Sequence, residues 1–488
     1  MRDPTVRLSR RRFCSSMLTA AMGMAAAACS APVGRNPAPS PSRSSDQLTL
    51  SFPNGFSWGV ATSAYQIEGA AEADGRGRSI WDAFSERPGA IADGSSGAVA
   101  CDHYHRWESD LDLMRGLGIG SYRFSIAWPR VLPEGRGQVN RRGLDFYDRL
   151  VDGLLDRGIS PLATLYHWDL PEALQDRGGW ENRDSAGWFV DYTTVLFATL
   201  GDRVPRWLTI NEAKIIAQQG YQHGRMAPGK SDLAVSGRVI HHLNLAHGQA
   251  VGAFRASPAI GKIGPCLQLA PCYPADGSPE ATTAASAADT LENGLYLDPL
   301  VKGRYPNLSN ADRRFASGLD SAVKDGDLAV IARPVDFLGI NYYSPVVVDG
   351  VGRAVQIHPV SAAGWQQIFP QGLYDVLTRL RRDYGSLEIL ITENGVPDDV
   401  TDSGNPLVDQ ARVRFLHRHL LALHRAIAEG SHVTGYYAWS LLDNFEWAAG
   451  YSQRWGLVHV DFDTLAREPK TSASWYAAIA ASNGIPAE

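Results

Sequence analysis

The chain has 488 residues, of which 44% are hydrophobic and 20% are charged, and this balance excludes wholesale disorder. Its formal net charge of −6 at pH 7 provides no basic field for phosphate backbones, so we expect no nucleic-acid partner. The length suits one large α/β barrel better than a single small domain.

The N-terminal segment has the features of an export signal. Residues 9–13 read SRRRF, the Ser-Arg-Arg-x-Phe pattern of bacterial twin-arginine signals, and the apolar run that follows is too short and alanine-rich for a stable membrane span. We predict a twin-arginine signal peptide over residues 1–29 and a Pro/Ser-rich linker over 30–49. Cleavage within 25–28 would give a secreted or periplasmic protein. Cleavage before Cys29 would instead leave a lipidated cysteine, and with it a cell-surface lipoprotein attached to a membrane.

The cysteine and histidine patterns do not predict a metal or redox site. No Cys-x-x-Cys spacing occurs, and no Gly-rich phosphate loop is present, so we expect no cofactor. Cys266 and Cys272 could pair after export or remain buried thiols. His103 and His105 could face one metal, but no third ligand stands nearby in sequence, and surface residues at a helix start are the favoured interpretation.

From residue 50 to 488, short apolar segments alternate with helical patterns in a single domain. Residues 144–158 and 410–430 have helical spacing of apolar residues, and Gly430 is a candidate C-cap. Eight strand-then-helix repeats predict an α/β fold of the (β/α)8 TIM-barrel class. The strand candidates are residues 56–69, 121–128, 160–171, 205–213, 261–269, 335–344, 387–395 and 433–447.

The ends of these strand candidates predict a functional site, because barrel active sites form at the C-terminal ends of the strands. Carboxylates, carboxamides, a histidine and several aromatic rings would meet there, although the fifth strand contributes no recognisable candidate. Such a set suits a carbohydrate, whose hydroxyls need polar partners and whose C–H faces pack on aromatic planes. The candidates are Gln66, Arg123, His167, Trp168, Asn211, Glu212, Asn341, Tyr343, Glu393, Trp439, Glu446 and Trp447.

Two of the carboxylates, Glu212 in TINEA and Glu393 in ITENG, end the fourth and seventh strand candidates, where they can face one another across the barrel mouth. Glycoside hydrolysis needs such a pair, one carboxyl group protonated for the leaving oxygen and the other ionised. Taken alone, each glutamate would more readily be interpreted as half of a structural ion pair. His167 and the tryptophans would likewise be interpreted as core residues.

The motifs taken together resemble glycoside hydrolase family 1, the family of β-glucosidases. They cover nearly the whole chain from about residue 50 to 480, in order and at the family's spacing. The resemblance implies a retaining, exo-acting β-glycosidase, most simply a β-glucosidase acting on a small β-glucoside or oligosaccharide through a covalent glycosyl-enzyme. The motifs are FSWGVATSAYQIEGA, YRFSIAWPR, YHWDLP, TINEA, GINYYS, ITENG and WSLLDNFEWAAGYSQRWGLVHVDF.

The resemblance also implies a role for each matching residue. Glu393 would be the nucleophile and Glu212 the general acid/base, with carboxyl groups about 5–5.5 Å apart. Arg123 and Tyr343 would hold Glu393, and the cation would favour its ionised form. Asn341 would lie near Glu212. The implied sugar-binding residues are Gln66, His167, Trp168, Asn211, Tyr343, Trp439, Glu446 and Trp447, of which Trp439 would form the floor under the ring.

Small departures from the family pattern refine the implied substrate. Ala213 follows Glu212 where family members usually have proline, which leaves the carboxylate in place. A glutamate at 212 favours ordinary O-glycosides, since relatives that cleave thioglucosides have glutamine there. Glu446 beside Trp447 would repel a phosphate group, which excludes 6-phospho-sugars.

Two other functions remain open from the sequence. A carbohydrate-binding or sensing protein could have lost catalysis, although both carboxylates are present. Transglycosylation to an alcohol other than water would depend on the aglycone-side loops, residues 268–310 and 345–370. The residues do not select among glucose, galactose and fucose as the glycone, and they do not indicate an oligomeric state.

Overall fold

The computed structural model describes residues 49–398 and 404–487. Within these ranges eight parallel strands close into a barrel, in which each strand pairs with the next along the chain and the eighth pairs with the first. The predicted (β/α)8 class is therefore confirmed. The barrel strands are β1 (Ser57–Ala61), β2 (Ser121–Ser125), β3 (Ser160–Tyr166), β4 (Arg206–Asn211), β5 (Lys262–Gln268), β6 (Leu338–Asn341), β7 (Ile389–Asn394) and β8 (Val433–Trp439).

Strand β7 illustrates why these segments become barrel strands. All of its residues are buried, because one face meets the barrel interior and the other meets the helices. Leu390 belongs to the interior cluster with Leu162 and Leu208, whereas Ile389 and Ile391 pack in the outer cluster. The strand alternation thus carries one set of side chains inward. A register shift between Ile391 and Glu393 interrupts the alternation at the strand end, and Glu393 faces the barrel mouth there.

Helices cover the outside of the barrel. The predicted helices 144–158 and 410–430 are observed as Arg141–Asp156 (α2) and Gln410–Ala428 (α9). Gly430 follows the C-cap of α9 with a φ of 98°, the left-handed conformation that ends many helices. Across the part of the chain that the structure describes, no helix is long and apolar enough to cross a membrane. The helices of eight residues or more are α1 (His103–Gly116), α2 (Arg141–Asp156), α3 (Ser185–Leu200), α4 (Leu233–Ala256), α5 (Pro279–Asp289), α6 (Leu295–Lys302), α7 (Arg313–Ala322), α8 (Pro370–Tyr384), α9 (Gln410–Ala428) and α10 (Thr471–Ser482).

A short antiparallel strand pair joins the two ends of the described barrel. Thr49–Ser51 pairs with Gly484–Pro486, with Leu50 opposite Ile485. The chain enters β1 only after this pairing. The predicted signal peptide over 1–29 lies outside the described residues, as does all but the last residue of the predicted linker.

The cysteines and the histidine pair occupy structural positions. Cys266 and Cys272 are free thiols, so the open question of their pairing is answered for this fold. His103 lies at the start of α1 as predicted, but the expectation of a surface position is wrong for it, because its Nδ1 lies 2.8 Å from an Asp110 carboxylate oxygen inside the protein. His105 is exposed.

Candidate active site

A cavity of about 450 Å³ lies at the C-terminal ends of the barrel strands. Nine of the twelve predicted site residues line it, which brings together the predicted carboxylates and aromatic rings. Gln66, Arg123 and Asn341 do not line the cavity, and each is buried against residues that do. The nine lining residues are His167, Trp168, Asn211, Glu212, Tyr343, Glu393, Trp439, Glu446 and Trp447.

The Glu393 carboxylate is held by one donor on each oxygen. Arg123, fully buried on β2, donates from Nη1 to Oε1, and the Tyr343 hydroxyl donates to Oε2 at 2.7 Å. Arg123 itself is fixed by Thr164 and by the Thr392 carbonyl, each at 3.1 Å. Both carboxylate oxygens of Glu393 therefore accept a hydrogen bond, one of them from a cation, and the two donors are the residues expected from the sequence to contact it.

Glu212 has a contrasting environment. It directly follows β4 with a φ of 49°, a left-handed backbone conformation that is unusual for a residue with a side chain. Its Oε1 accepts a 2.7 Å hydrogen bond from Asn341 Nδ2. Burial and the nearby charge of Glu393 raise the pKa of Glu212 to about 8. Near neutral pH Glu212 is therefore mainly protonated, while its partner has a cation beside it.

Asn211 connects the surroundings of the two carboxylates. Its Oδ1 accepts hydrogen bonds from Arg123 Nη2 at 2.7 Å and from Asn341 Nδ2 at 3.1 Å. The Cys266 thiol donates to the same oxygen at 3.0 Å. Because the oxygen is occupied within the barrel, Nδ2 points the other way, toward His167 Nε2 at 3.0 Å and the cavity.

His167 is a neutral imidazole in this site. Burial and the charge of Arg123 lower the pKa of His167 well below its usual value. Since Asn211 donates to Nε2, the ring proton belongs on Nδ1, and Nδ1 has no hydrogen-bond partner among the described residues. One buried donor is thus left for a ligand hydroxyl.

Glu446 and Gln66 form a second polar group at the cavity. Gln66 Nε2 lies 3.3 Å from Glu446 Oε2 and also donates to Asn444 Oδ1 and to the Phe445 carbonyl. Burial and the charge of Glu393 raise the pKa of Glu446 to about 8, so this carboxyl group can donate as well as accept. Near neutral pH it is mainly uncharged, so its repulsion of a phosphate group is weaker than expected from an ionised carboxylate. Gln66 positions Glu446 here, and its direct contact with a sugar stays a prediction.

Aromatic rings form the apolar surface of the cavity. The His167 ring stacks between Trp439, at 5.9 Å between centroids, and Trp447, at 5.8 Å. Trp168 lies 4.6 Å from Trp447 and donates from Nε1 to the Asn211 carbonyl at 2.9 Å. These planes can pack against the C–H faces of a pyranose ring.

The residues of the outer part of the cavity were not predicted from the sequence. Neither was the contribution of β5, which supplies the Cys266 thiol to Asn211 and the side chain of Gln268 to the lining. Trp365 follows β6 in the predicted aglycone loop and is 50% exposed. The only sequence signal for it was a tryptophan within residues 345–370. The further lining residues are Ile215, Gln219, Arg225, Met226, Gln268, Trp365, Ala448, Ala449, Gln453 and Trp455.

This fold and site define a class of protein. A closed (β/α)8 barrel carries two carboxyl groups in contrasting environments, one beside a cation and one with a raised pKa, in a pocket rich in aromatic rings and hydroxyl-binding groups. This combination is typical of a glycoside hydrolase. The chain belongs to glycosyl hydrolase family 1, whose sequence profile matches residues 48–485.

Similar proteins agree with this assignment. The chain is 48% identical over 448 residues to β-glucosidase A of Acetivibrio thermocellus, covering 89% of this chain and 99% of that protein. It is 45% identical over 446 residues to β-glucosidase A of Thermotoga maritima, covering 89% of this chain and 98% of that one. The solved structure of the β-glucosidase from Thermotoga maritima in complex with glucoimidazole superposes with a TM-score of 0.85 at 44% identity, over 89% of this chain and 100% of that chain.

Proposed function

We propose that this chain is a retaining, exo-acting β-glucosidase that hydrolyses terminal non-reducing β-D-glucosyl residues of small β-glucosides and oligosaccharides. The observation that carries the proposal is the contrast between the two carboxyl groups. Burial and the charge of Glu393 raise the pKa of Glu212 to about 8, whereas Glu393 accepts hydrogen bonds from Arg123 and Tyr343. The relatives named as β-glucosidases support glucose as the glycone.

In the first step Glu393 attacks the anomeric carbon, and the bond from that carbon to the aglycone oxygen breaks. Glu212 transfers its proton to the leaving oxygen, so the products are an alcohol and a glucosyl ester of Glu393. Asn211 and His167 both line the cavity, and Asn211 Nδ2 and the unpartnered Nδ1–H of His167 can bind ring hydroxyls as charge develops on the sugar.

In the second step Glu212 acts as a base and the Glu393 carboxylate is the leaving group. Esterification removes the charge of Glu393, and that charge is one of the causes that raise the pKa of Glu212. The pKa of Glu212 then falls, so Glu212 stays ionised after giving up its proton and can take a proton from water as the water attacks the anomeric carbon. The Glu393 ester is released, and two inversions together retain the configuration.

Chemical rescue tests this assignment. Glu393→Gly should abolish hydrolysis of 2,4-dinitrophenyl β-D-glucoside, and added azide should restore turnover with α-glucosyl azide as the product. The matched variant Glu212→Ala should give β-glucosyl azide, because azide then attacks the glucosyl-enzyme. Near-normal turnover of Glu393→Gly without azide, or the same azide anomer from both variants, would contradict the assignment of Glu393 as nucleophile and Glu212 as acid/base.

We also propose that the protein is exported by the twin-arginine route, as a secreted, periplasmic or cell-surface protein. The SRRRF sequence at residues 9–13 supports this, and Cys29 gives a possible point of lipid attachment. Replacing Arg10 and Arg11 by lysine should retain the precursor in the cytoplasm of a bacterial host. Incorporation of labelled palmitate that is lost in Cys29→Ser would identify the lipoprotein form, and unchanged export of the lysine variant would exclude the route.

A further inference from the structure

The outer wall of the cavity carries one residue with a permanent positive charge. Among the described residues that line the cavity, Arg225 alone has a side chain that remains cationic at all ordinary pH values. Arg225 is exposed, and neither an ion pair nor a side-chain hydrogen bond involves it within the described ranges. Its guanidinium group is therefore free to bind a ligand.

The backbone that presents Arg225 is well fixed. The amide groups of Arg225 and Met226 both donate to the Gln219 carbonyl, at 2.9 and 3.2 Å. Gly224, with a φ of 67°, makes the turn that precedes them, and the Gly229 amide donates to the Met226 carbonyl at 2.8 Å. A turn held in this way places the charge at one side of the cavity rather than on a free loop.

The groups around this turn have few acidic partners. Arg87 packs against Gly229 and over the Phe84 ring, and it too has no ion pair among the described residues. Lys230 pairs with Glu181. His223 is a further donor beside Arg225, and partial burial together with the charge of Arg225 lowers the pKa of His223. The field at this side of the cavity is consequently positive although the whole chain is acidic.

The deeper carboxyl groups do not cancel that field near neutral pH. Glu393 is paired with Arg123, and Glu212 and Glu446 both have a pKa of about 8, raised by burial and by the charge of Glu393. The lining therefore presents one uncompensated charge to an incoming molecule, and that charge is the guanidinium group of Arg225.

The lining that Arg225 shares with apolar and aromatic residues is suited to a flat ring. Ile215 and Met226 line the cavity together with Trp365, whose ring stacks at 25° on that of Trp455. A cavity with apolar and aromatic surfaces and one guanidinium group matches a planar aromatic group that carries a carboxylate.

We propose that Arg225 makes the aglycone side of this site selective for β-glucosides whose aglycone bears an anionic group, with an aromatic carboxylate as the best fit. The inference rests on the proposed function, since it concerns the leaving half of the same substrate. Arg225 would act by attracting and orienting the aglycone, so its effect belongs in kcat/KM for charged substrates.

The test compares two substrates of similar shape, the β-D-glucosides of 4-hydroxybenzoate and of 4-hydroxybenzamide. The kcat/KM ratio of carboxylate to amide is measured for wild type and for Arg225→Gln, so that the difference in leaving-group ability cancels between the enzymes. We expect the ratio to fall by about two- to five-fold in Arg225→Gln, the size typical of an exposed charge pair. It should fall further in Arg225→Glu, and about 0.5 M NaCl should reduce the wild-type preference.

Arg149 provides the matched control, because it is an exposed arginine of α2 that does not line the cavity. Arg149→Gln makes the same change in net charge and should keep the wild-type ratio. An equal ratio in wild type and Arg225→Gln, or an equal loss in the Arg149 variant, would overturn the proposal while hydrolysis of the neutral amide upheld the glucosidase assignment. Failure of wild type to hydrolyse either glucoside would overturn both.

Discussion

The charge of Glu393 adds to burial in favouring the protonated form of Glu212. Burial and this charge raise the pKa of Glu212 to about 8, while Arg123 and Tyr343 contact Glu393 itself. Two glutamates with identical side chains thus differ as acid and nucleophile because the barrel surrounds them with different neighbouring residues.

The first prediction concerns pH. The kcat/KM of wild type should fall as pH rises through about 8, because Glu212 loses the proton that the leaving oxygen needs. Glu212→Gln should lose that descending limb with 2,4-dinitrophenyl β-D-glucoside, whose departure needs no acid, and should be slower by roughly 100-fold or more on phenyl β-D-glucoside. A descending limb that persists in Glu212→Gln would assign the titration to another group.

The second prediction uses two adjacent tyrosines. Tyr343→Phe removes the 2.7 Å hydrogen bond to Glu393 Oε2 but keeps the ring, so kcat/KM should fall by about ten-fold or more. Tyr342→Phe removes a hydroxyl that donates at 2.6 Å to the Phe369 carbonyl. That control should lose about 1–2 kcal/mol of stability with little loss of activity. Steady-state kinetics and denaturant unfolding on both variants would distinguish the effects, and similar activity losses would refute the role of Tyr343.

The third prediction is that the acid/base residue costs stability. Its folded-state pKa is raised to about 8, so between about pH 4.5 and 8 the folded protein binds more protons than the unfolded chain, and the free energy of unfolding falls as pH rises. Glu212→Gln removes this penalty. The variant should be more stable than wild type at about pH 7, by on the order of 2 kcal/mol, and the gain should shrink toward about pH 4.

Glu388, at the opposite end of β7, provides the contrast for that experiment. Partial burial acts to raise its pKa, but hydrogen bonds from Lys262 and Thr434 prevail and lower it. Its stabilising contribution is present above its unfolded-state pKa and is lost as pH falls through the lower folded-state value. Glu388→Gln should therefore lower the melting temperature at neutral pH. A stabilised Glu388 variant, or a destabilised Glu212 variant, would contradict the opposite pKa shifts of the two glutamates.

The fourth prediction separates the two halves of the cavity. Trp365 is 50% exposed and lies with Trp455 on the outer side, so Trp365→Ala should raise KM for cellobiose by about five-fold through loss of ring contact with the second sugar. Hydrolysis of the glucosyl-enzyme should be unchanged, as measured by kcat on 2,4-dinitrophenyl β-D-glucoside when that step limits turnover. If Trp365→Ala weakened cellobiose binding and slowed hydrolysis of the glucosyl-enzyme to the same extent, Trp365 would instead belong to the half of the cavity that binds the glucosyl group.

The sequence predicted those parts of the site that the strands themselves position. Glu393 and Asn211 end buried strands whose apolar alternation is visible in the residues, and the barrel class then brings their ends together. Trp365 and Arg225 escaped prediction because loop geometry, rather than strand order, brings them to the cavity. Cys266 escaped for another reason: a thiol inside an apolar strand has no pattern that distinguishes an ordinary core residue from one that donates to Asn211.

The pairing of Thr49–Ser51 with Gly484–Pro486 has a consequence for engineering. Since the first and last strands of the described residues lie side by side, a short connector could join them and new termini could be opened elsewhere. Such a circular permutant should fold if the opening is placed in an exposed turn far from the cavity, for example beside Gly158 between α2 and β3. Because the eight strands form a closed ring, the strand order around the barrel is kept whichever loop is opened to make the new termini.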